Sequence, residues 1–382
     1  MVRAVRTLLC AVAVSIGLVS VASTAGAAVP PISFDPAVSS PTNSSFGPGP
    51  GAQTTAVADL DGDGRLDVVV TDFVTTTPRA LRNLGDGRFG PPQLLPAASG
   101  VLAIATGDFN ADGRPDIVGR STWAVVLWTG NGNGTFTLAQ QVQAPGNAQP
   151  AIAVGDVNHD GRPDVVTTTM TGFQVFRGTG AGLAAGPTTA VYGILADIAI
   201  GNLDGDGHRD VVVVDATPFA QKARTFLGRG DGTFTVGGSA ATAYGPEGAA
   251  LGDLNHDGFD DVVTSDSFSA IGLPPQFSIT VMLSDGDGGF ATSTTYPTAS
   301  GPVSGAIGDL NADSHPDVVI GGVIGTGLAV YANDGTGALT QVTVPAVAPA
   351  PQTPAIADLD GDGRPDIAVP GVGQLSVLLN RS

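Results

Sequence analysis

Three common residue types are almost missing from this chain of 382 residues: Cys10, Lys222 and Glu247 are the only cysteine, lysine and glutamate. A single thiol excludes an internal disulfide. Sixteen basic residues stand against 35 acidic ones, so a nucleic acid, whose phosphates require Lys and Arg, is not an expected partner. Aromatic residues make up only 5% of the chain. Good helix formers other than Ala and Leu are scarce, which excludes long helices. What remains is rich in Val, Thr and Ile, punctuated by 55 Gly and 28 Pro. That composition calls for many short strands joined by tight turns.

Residues 1–28 read as a secretory signal peptide. Arg3 and Arg6 form a basic start, an apolar stretch runs from Leu8 to Val21, and Ala25-Gly26-Ala27-Ala28 offers a cleavage site. The apolar stretch is short for a membrane span, which needs about 20 residues. Cys10 lies inside it, the wrong place for lipid attachment. The expected mature chain, 29–382, keeps 14 basic and 35 acidic residues, a formal charge of −21. A secreted chain with no cysteine needs another staple, and a metal is the usual one.

One motif recurs seven times. It begins ADLDGDGRLDVVV (Ala58–Val70) and reads D-x-[DN]-x-D-G-x-x-D. Its first positions are Asp59, Asp108, Asp156, Asn202, Asp253, Asp309 and Asp358, separated by 49, 48, 46, 51, 56 and 49 residues. A small apolar strand precedes each copy and a β-branched strand follows. A third strand comes next, then a Gly-rich turn ending in a large apolar residue, as in GDGRF (Gly85–Phe89) and GNGTF (Gly132–Phe136), and then a fourth strand. Four short strands in a unit of about 50 residues is the size of a propeller blade. An EF-hand would need flanking helices and Glu at position twelve. The expected fold is therefore all-β: a seven-bladed β-propeller of four-stranded blades.

Register also suggests how the ring closes. The chain ends at Leu378–Ser382, where the third strand of the last blade should finish, so its fourth strand is missing. PISFDPAV (Pro31–Val38), with Phe34 in the place of the large apolar residue, supplies that strand from the N-terminus and hides an open sheet edge.

In a tight loop the side chains at positions one, three and five can converge on one point, with the backbone carbonyl of position seven and the carboxylate of position nine. So many oxygens suit a hard cation, and flexible coordination by 6 to 8 oxygens suits Ca²⁺. The candidate ligands are Asp59, Asp61, Asp63, Arg65 and Asp67 in loop one, and Asp108, Asn110, Asp112, Arg114 and Asp116 in loop two. Loop three offers Asp156, Asn158, Asp160, Arg162 and Asp164, and loop four Asn202, Asp204, Asp206, His208 and Asp210. Loop five offers Asp253, Asn255, Asp257, Phe259 and Asp261, loop six Asp309, Asn311, Asp313, His315 and Asp317, and loop seven Asp358, Asp360, Asp362, Arg364 and Asp366. Position seven contributes only its carbonyl, which fits its variable side chain. Twenty-three of the 35 acidic residues stand at these positions, and seven Ca²⁺ would bring the charge of the mature chain from −21 to −7. Asx turns alone also favour Asp, Asn and Gly, but they do not demand position nine. Loops one and seven, with four carboxylates each, should bind best. Loop four starts with an uncharged Asn202, and loop six has Ser314 where the turn wants Gly.

These residues resemble the FG-GAP/VCBS repeat family, which includes the propeller head of integrin α subunits and secreted bacterial and fungal proteins. The resemblance implies that the calcium loop joins strands one and two of a blade, and it implies binding or adhesion rather than catalysis. Some members with similar repeats are sugar-binding lectins. No catalytic set emerges from the residues. His159, His208, His256 and His315 all lie inside the loops, as solvated filler, and no Ser adjoins a His in a nucleophile elbow. The expectation is a secreted, monomeric, non-enzymatic calcium-binding module for a protein or glycan. A lectin is the first alternative and a polysaccharide lyase or hydrolase the second.

The face opposite the loops should carry the ligand. It holds the long loops Asp72–Arg79, Asp215–Arg224 and Asp266–Phe277. Tyr192, Tyr244 and Tyr296, repeated at a step of 52, read as packing between blades, as do Trp123 and Trp128, although an exposed Trp would suit sugar stacking.

Overall fold

A computed structural model describes residues 29–42, 54–71, 76–96, 98, 100–146, 149–268, 275–299, 301–323 and 328–382. Residues 1–28, expected to be a signal peptide, and parts of two of the long loops, 72–75 and 269–274, lie outside the described residues. The described chain forms seven four-stranded antiparallel sheets. Blade one contains Thr55–Ala58, Asp67–Val70, Arg79–Leu81 and Gln93–Leu94, in that order from the axis outward. Blades two to six repeat the order. Each inner strand packs beside the inner strand of the next blade, and Ala355–Ala357 of blade seven packs beside Thr55–Ala58 of blade one. The sheets therefore form a closed ring, a seven-bladed β-propeller.

Blade seven is completed as the register requires. Val38–Pro41 pairs antiparallel with Gln374–Leu378, with Val38 opposite Val377. The pairing starts earlier, at a bridge between Phe34 and Asn380, the counterpart of the bridge between Asn83 and Phe89 in blade one. Phe34 thus holds the place expected of it. The regular ladder runs Val38–Pro41 rather than Pro31–Val38, because Pro36 has no N–H to offer a ladder.

Residue size explains how seven sheets converge on one axis. The residue before each loop is Gly or Ala. A Cβ at Gly155 would touch Ile200 at 3.0 Å, and one at Gly252 or Gly308 would meet Ile307 or Ile356 of the next blade at 2.7 or 3.1 Å. At these three positions the inner strand seats its neighbour's branched side chain where its own is missing. The second strands are buried throughout, as in Asp210–Asp215 and Asp366–Gly371, and so read as continuous apolar runs. The outer strands alternate, as Phe136–Gln143 does, with one face in water. The apolar core is divided into seven clusters, each spanning one pair of adjacent blades. Trp128, fully buried between blades one and two, donates its indole N–H to Pro96 O at 2.8 Å.

Candidate functional site

All seven acidic loops join the first strand of a blade to the second, and all adopt one conformation. The position-one side chain caps the turn: Asp59 accepts from the amides of Gly62 at 2.8 Å, Asp63 at 3.1 Å and Gly64 at 2.9 Å. Position six is left-handed in every loop, and Ser314 takes φ +70° there, the strained turn expected in loop six. Position four is left-handed as well, which the motif reading missed. Gly62, Gly205 and Gly361 do this freely, whereas Ala111, His159, His256 and Ala312 hold φ of 56–59°. The glycines at position four of loops one, four and seven were the available signal.

Position nine has a second task that spacing alone does not reveal. Its carboxylate is buried in every loop and ties the blade together. Asp67 accepts from Leu60 N at 3.1 Å within the loop and from Asn83 N at 2.7 Å after the third strand. The same two bonds recur at Asp116, Asp164, Asp210, Asp261, Asp317 and Asp366. Burial, reinforced by the neighbouring loop carboxylates, pushes Asp67, Asp164, Asp317 and Asp366 up to about 6 and Asp261 to about 7. Asp116 and Asp210 shift the same way.

The loops differ in how many carboxylates come together. Among the described residues, three acidic side chains converge within 4.8 Å in loop one (Asp59, Asp61, Asp67) and in loop seven (Asp358, Asp360, Asp366). These are the loops with four acids. In loops two, three, five and six an Asn occupies position three, and in loop four Asn202 occupies position one. An all-oxygen donor set around a carboxylate whose proton affinity is raised by burial first and by like charge second fits a hard dication. Loops one and seven also recruit a guanidinium from just past the third strand of their blade. Arg82 pairs with Asp61 and with Asp63 at 3.1 Å, and Arg381 reaches Asp360 at 3.1 Å and Asp362 at 3.0 Å.

Position-seven side chains are not free: Arg65, Arg162 and Arg364 pair with the position-five carboxylates Asp63, Asp160 and Asp362 of their own loops. Three others lie over the Gly-rich turn of their own blade, His208 on Gly230, His315 on Gly335 and Phe259 on Gly286. They also reach back to position four of the preceding loop. His315 Nδ1 lies 2.6 Å from His256 Nε2, and the rings of His208 and His159 meet edge-on at 5.6 Å. The four histidines expected to be solvated filler form two cross-blade pairs, with His159 and His256 exposed, because positions four and seven of adjacent loops face one another.

A further set of bonds locks blade to blade at this rim. The position-two carbonyl of one loop accepts from the next blade: Leu60 O from Gly134 N, Val157 O from Gly232 N, Leu254 O from Asn333 Nδ2 and Leu310 O from Asn380 Nδ2. Asn83 Nδ2 bonds Leu359 O at 2.9 Å, which closes the seam between blades seven and one.

The opposite face carries the exposed aromatics. Tyr192 and Phe219 are 91% and 93% exposed on neighbouring loops, held together by Arg224, which bonds Asp215 and, at 3.0 Å, Tyr192 O. Packing between blades holds for Tyr296 alone of the three tyrosines; its hydroxyl accepts from Leu339 N at 3.2 Å. Tyr244 is exposed beside Phe268. The two tryptophans also part company: Trp128 is core, and Trp123 is 66% exposed.

Comparison with curated proteins gives no match. Among solved structures, an Agrocybe aegerita lectin that recognises non-reducing terminal N-acetylglucosamine is similar at 20% identity and TM-score 0.52, covering 77% of this chain and 80% of the lectin. The BBS1N chain, solved in complex with ARL6DN, is similar at 12% identity and TM-score 0.62–0.63, covering 91% of this chain and 96% of the other. Both likenesses concern the fold. The model for the FG-GAP-like repeat matches residues 59–119, 108–167, 202–264 and 309–369. Loop, blade and sequence agree at those positions, and the chain belongs to the FG-GAP-like repeat family.

Proposed function

We propose that this protein is a secreted, monomeric binding module whose propeller is held by Ca²⁺ in its acidic loops and whose opposite face takes a glycan or protein ligand, as in adhesion. One observation carries the calcium reading: Asp59 and Asp61 converge on the buried Asp67, and Asp358 and Asp360 on Asp366, in the two loops richest in carboxylate. In each loop positions one, three, five and nine would hold the ion with the carbonyl of position seven. The ion would supply charge neutralisation and crosslink the loop to the second strand. The surplus of acidic residues, the N-terminal export-like segment and the two propeller relatives, one recognising a sugar and one solved in a protein complex, support the reading.

Calorimetric titration of the metal-free mature chain with calcium chloride tests it. Extracellular calcium modules bind with Kd of about 10⁻⁴ to 10⁻³ M. Saturation to about ten times Kd stabilises by about 1.4 kcal/mol per site. Heat of binding with a raised melting temperature is the expected result; neither heat nor a shift would refute the proposal.

A further inference from the structure

We infer that the groove between blades two and three, on the face opposite the acidic loops, is a carbohydrate site in which Trp123 stacks on one pyranose ring and Gln174 accepts a hydroxyl hydrogen bond. The inference names the ligand class and place for the binding reading above, and it rests on that reading.

The groove is a cavity of about 560 Å³ lined by Trp123, Gln143, Ala144, Pro145, Gln174 and Thr188. That volume lies within the roughly 300–1,000 Å³ typical of small-ligand sites. Trp123 sits at the tip of the two-residue turn between Asp116–Ser121 and Ala124–Gly130 of blade two. The turn is rigid. Ser121 Oγ accepts from Ala124 N at 3.0 Å and donates to Ala124 O at 3.1 Å, and Trp123 O accepts from Ala144 N at 2.9 Å. One side of the indole lies on Gly146, where a Cβ would run into the ring. The rest of the ring is exposed.

A buried cation lies beneath the groove. Arg120 is fully buried, and its hydrogen bonds go to hydroxyl and carbonyl oxygens. It donates to Pro145 O at 2.7 Å and to Thr167 Oγ1 at 2.9 Å, and it bonds Ser121 O. It thereby fixes the turn bearing Trp123 against the segment on the other side of the groove. Across the groove, Gln174 stands opposite Thr188 in the third and fourth strands of blade three. Its amide donates to Gly186 O at 3.4 Å, while its buried Oε1 has no hydrogen-bond partner. A buried acceptor left unpaired costs about 1–3 kcal/mol, which a ligand hydroxyl would recover.

The chemistry of the lining selects the class. No side chain lining the groove is charged, and the guanidinium of Arg120 beneath it is fully buried and bonded to protein oxygens, so the groove offers no free counter-charge to a phosphate, carboxylate or ammonium ligand. One flat aromatic surface beside two amides and a hydroxyl is suited to a molecule with an apolar C–H face and a rim of neutral hydroxyls, which describes a pyranose.

The test uses the mature chain in excess calcium and a panel of methyl glycosides of glucose, galactose, mannose, fucose and N-acetylglucosamine at up to about 10 mM, above a millimolar Kd. Trp123 and Trp128 are the only tryptophans, one exposed and one buried, so a ligand on Trp123 should shift the red part of the emission to the blue and protect it from acrylamide. Saturation-transfer NMR gives a second readout. A saturable response to at least one glycoside is expected. It should weaken by at least about 10-fold in Trp123→Ala and in Gln174→Ala, as loss of an anchor worth about 1.4 kcal/mol would require. Trp128 emission and the melting temperature report whether each variant is folded. No saturable response to any glycoside, or a response that survives in both folded variants, overturns the assignment. Because calcium binding is read separately by calorimetry, failure here leaves the calcium reading standing, and failure there is seen without any sugar.

Discussion

Removing calcium should reverse the sign of the protein's response to pH. Five position-nine carboxylates, Asp67, Asp164, Asp317 and Asp366 at about 6 and Asp261 at about 7, are pushed by burial well above the ordinary aspartate range. A carboxyl raised on folding binds protons more tightly in the native state, so metal-free stability falls as pH rises from about 4 to 6, and to 7 for Asp261. A shift of about two units amounts to about 3 kcal/mol per group at neutral pH, of which about 1 kcal/mol returns on going from about pH 7 to about pH 5. The five lie in different blades, so their effects should nearly add, to several kcal/mol and a rise in Tm of several degrees. Calcium requires the same carboxylates ionised, and acid removes it. With calcium in excess, Tm should therefore be higher at about pH 7 than at about pH 5. Scanning calorimetry at both pH values, with chelator and with calcium chloride, measures all four numbers. If the chelated protein melts higher at the upper pH, or if calcium leaves the slope unchanged, the reasoning about these buried carboxylates is wrong.

Other outcomes follow from the packing. Deleting residues 29–41 removes the outer strand of blade seven and the buried Ile32, and should lower Tm and promote association through the freed edge of Gln374–Leu378, read by calorimetry and size-exclusion chromatography. Asn83→Ala should cost on the order of 2 kcal/mol in denaturant unfolding, because it strips Leu66 O and Leu359 O of their donor at the seam that closes the ring. Gly228→Ala should destabilise by about 1–3 kcal/mol, since its Cβ would press on the Arg209 carbonyl, whereas alanine at the exposed Asp287 should change little.

Much of this was legible in the residues because a repeat is its own alignment. Seven copies at near-constant spacing separate what each position demands from what one copy happens to contain. The aspartates, the glycine at position six and the place of Phe34 were all readable in that way. The double duty of position nine was not, since its hydrogen-bond partners at the end of the third strand are 14 to 23 residues away in sequence. Nor were the histidine pairs, whose members lie 49 and 59 residues apart.

The sequence by itself determined the blade: strand lengths, turns and the acidic loop are local consequences of alternation, left-handed glycines and clustered carboxylates. Which side chains meet across blades was decided only by the tertiary structure. Trp123 and Trp128 lie five residues apart on one hairpin, yet one fills the core between blades one and two and the other opens on a groove shared with blade three. Burial at a blade boundary depends on the neighbour that closes over it, and in a ring that neighbour is about 50 residues away in the chain or, at the seam, at its other end.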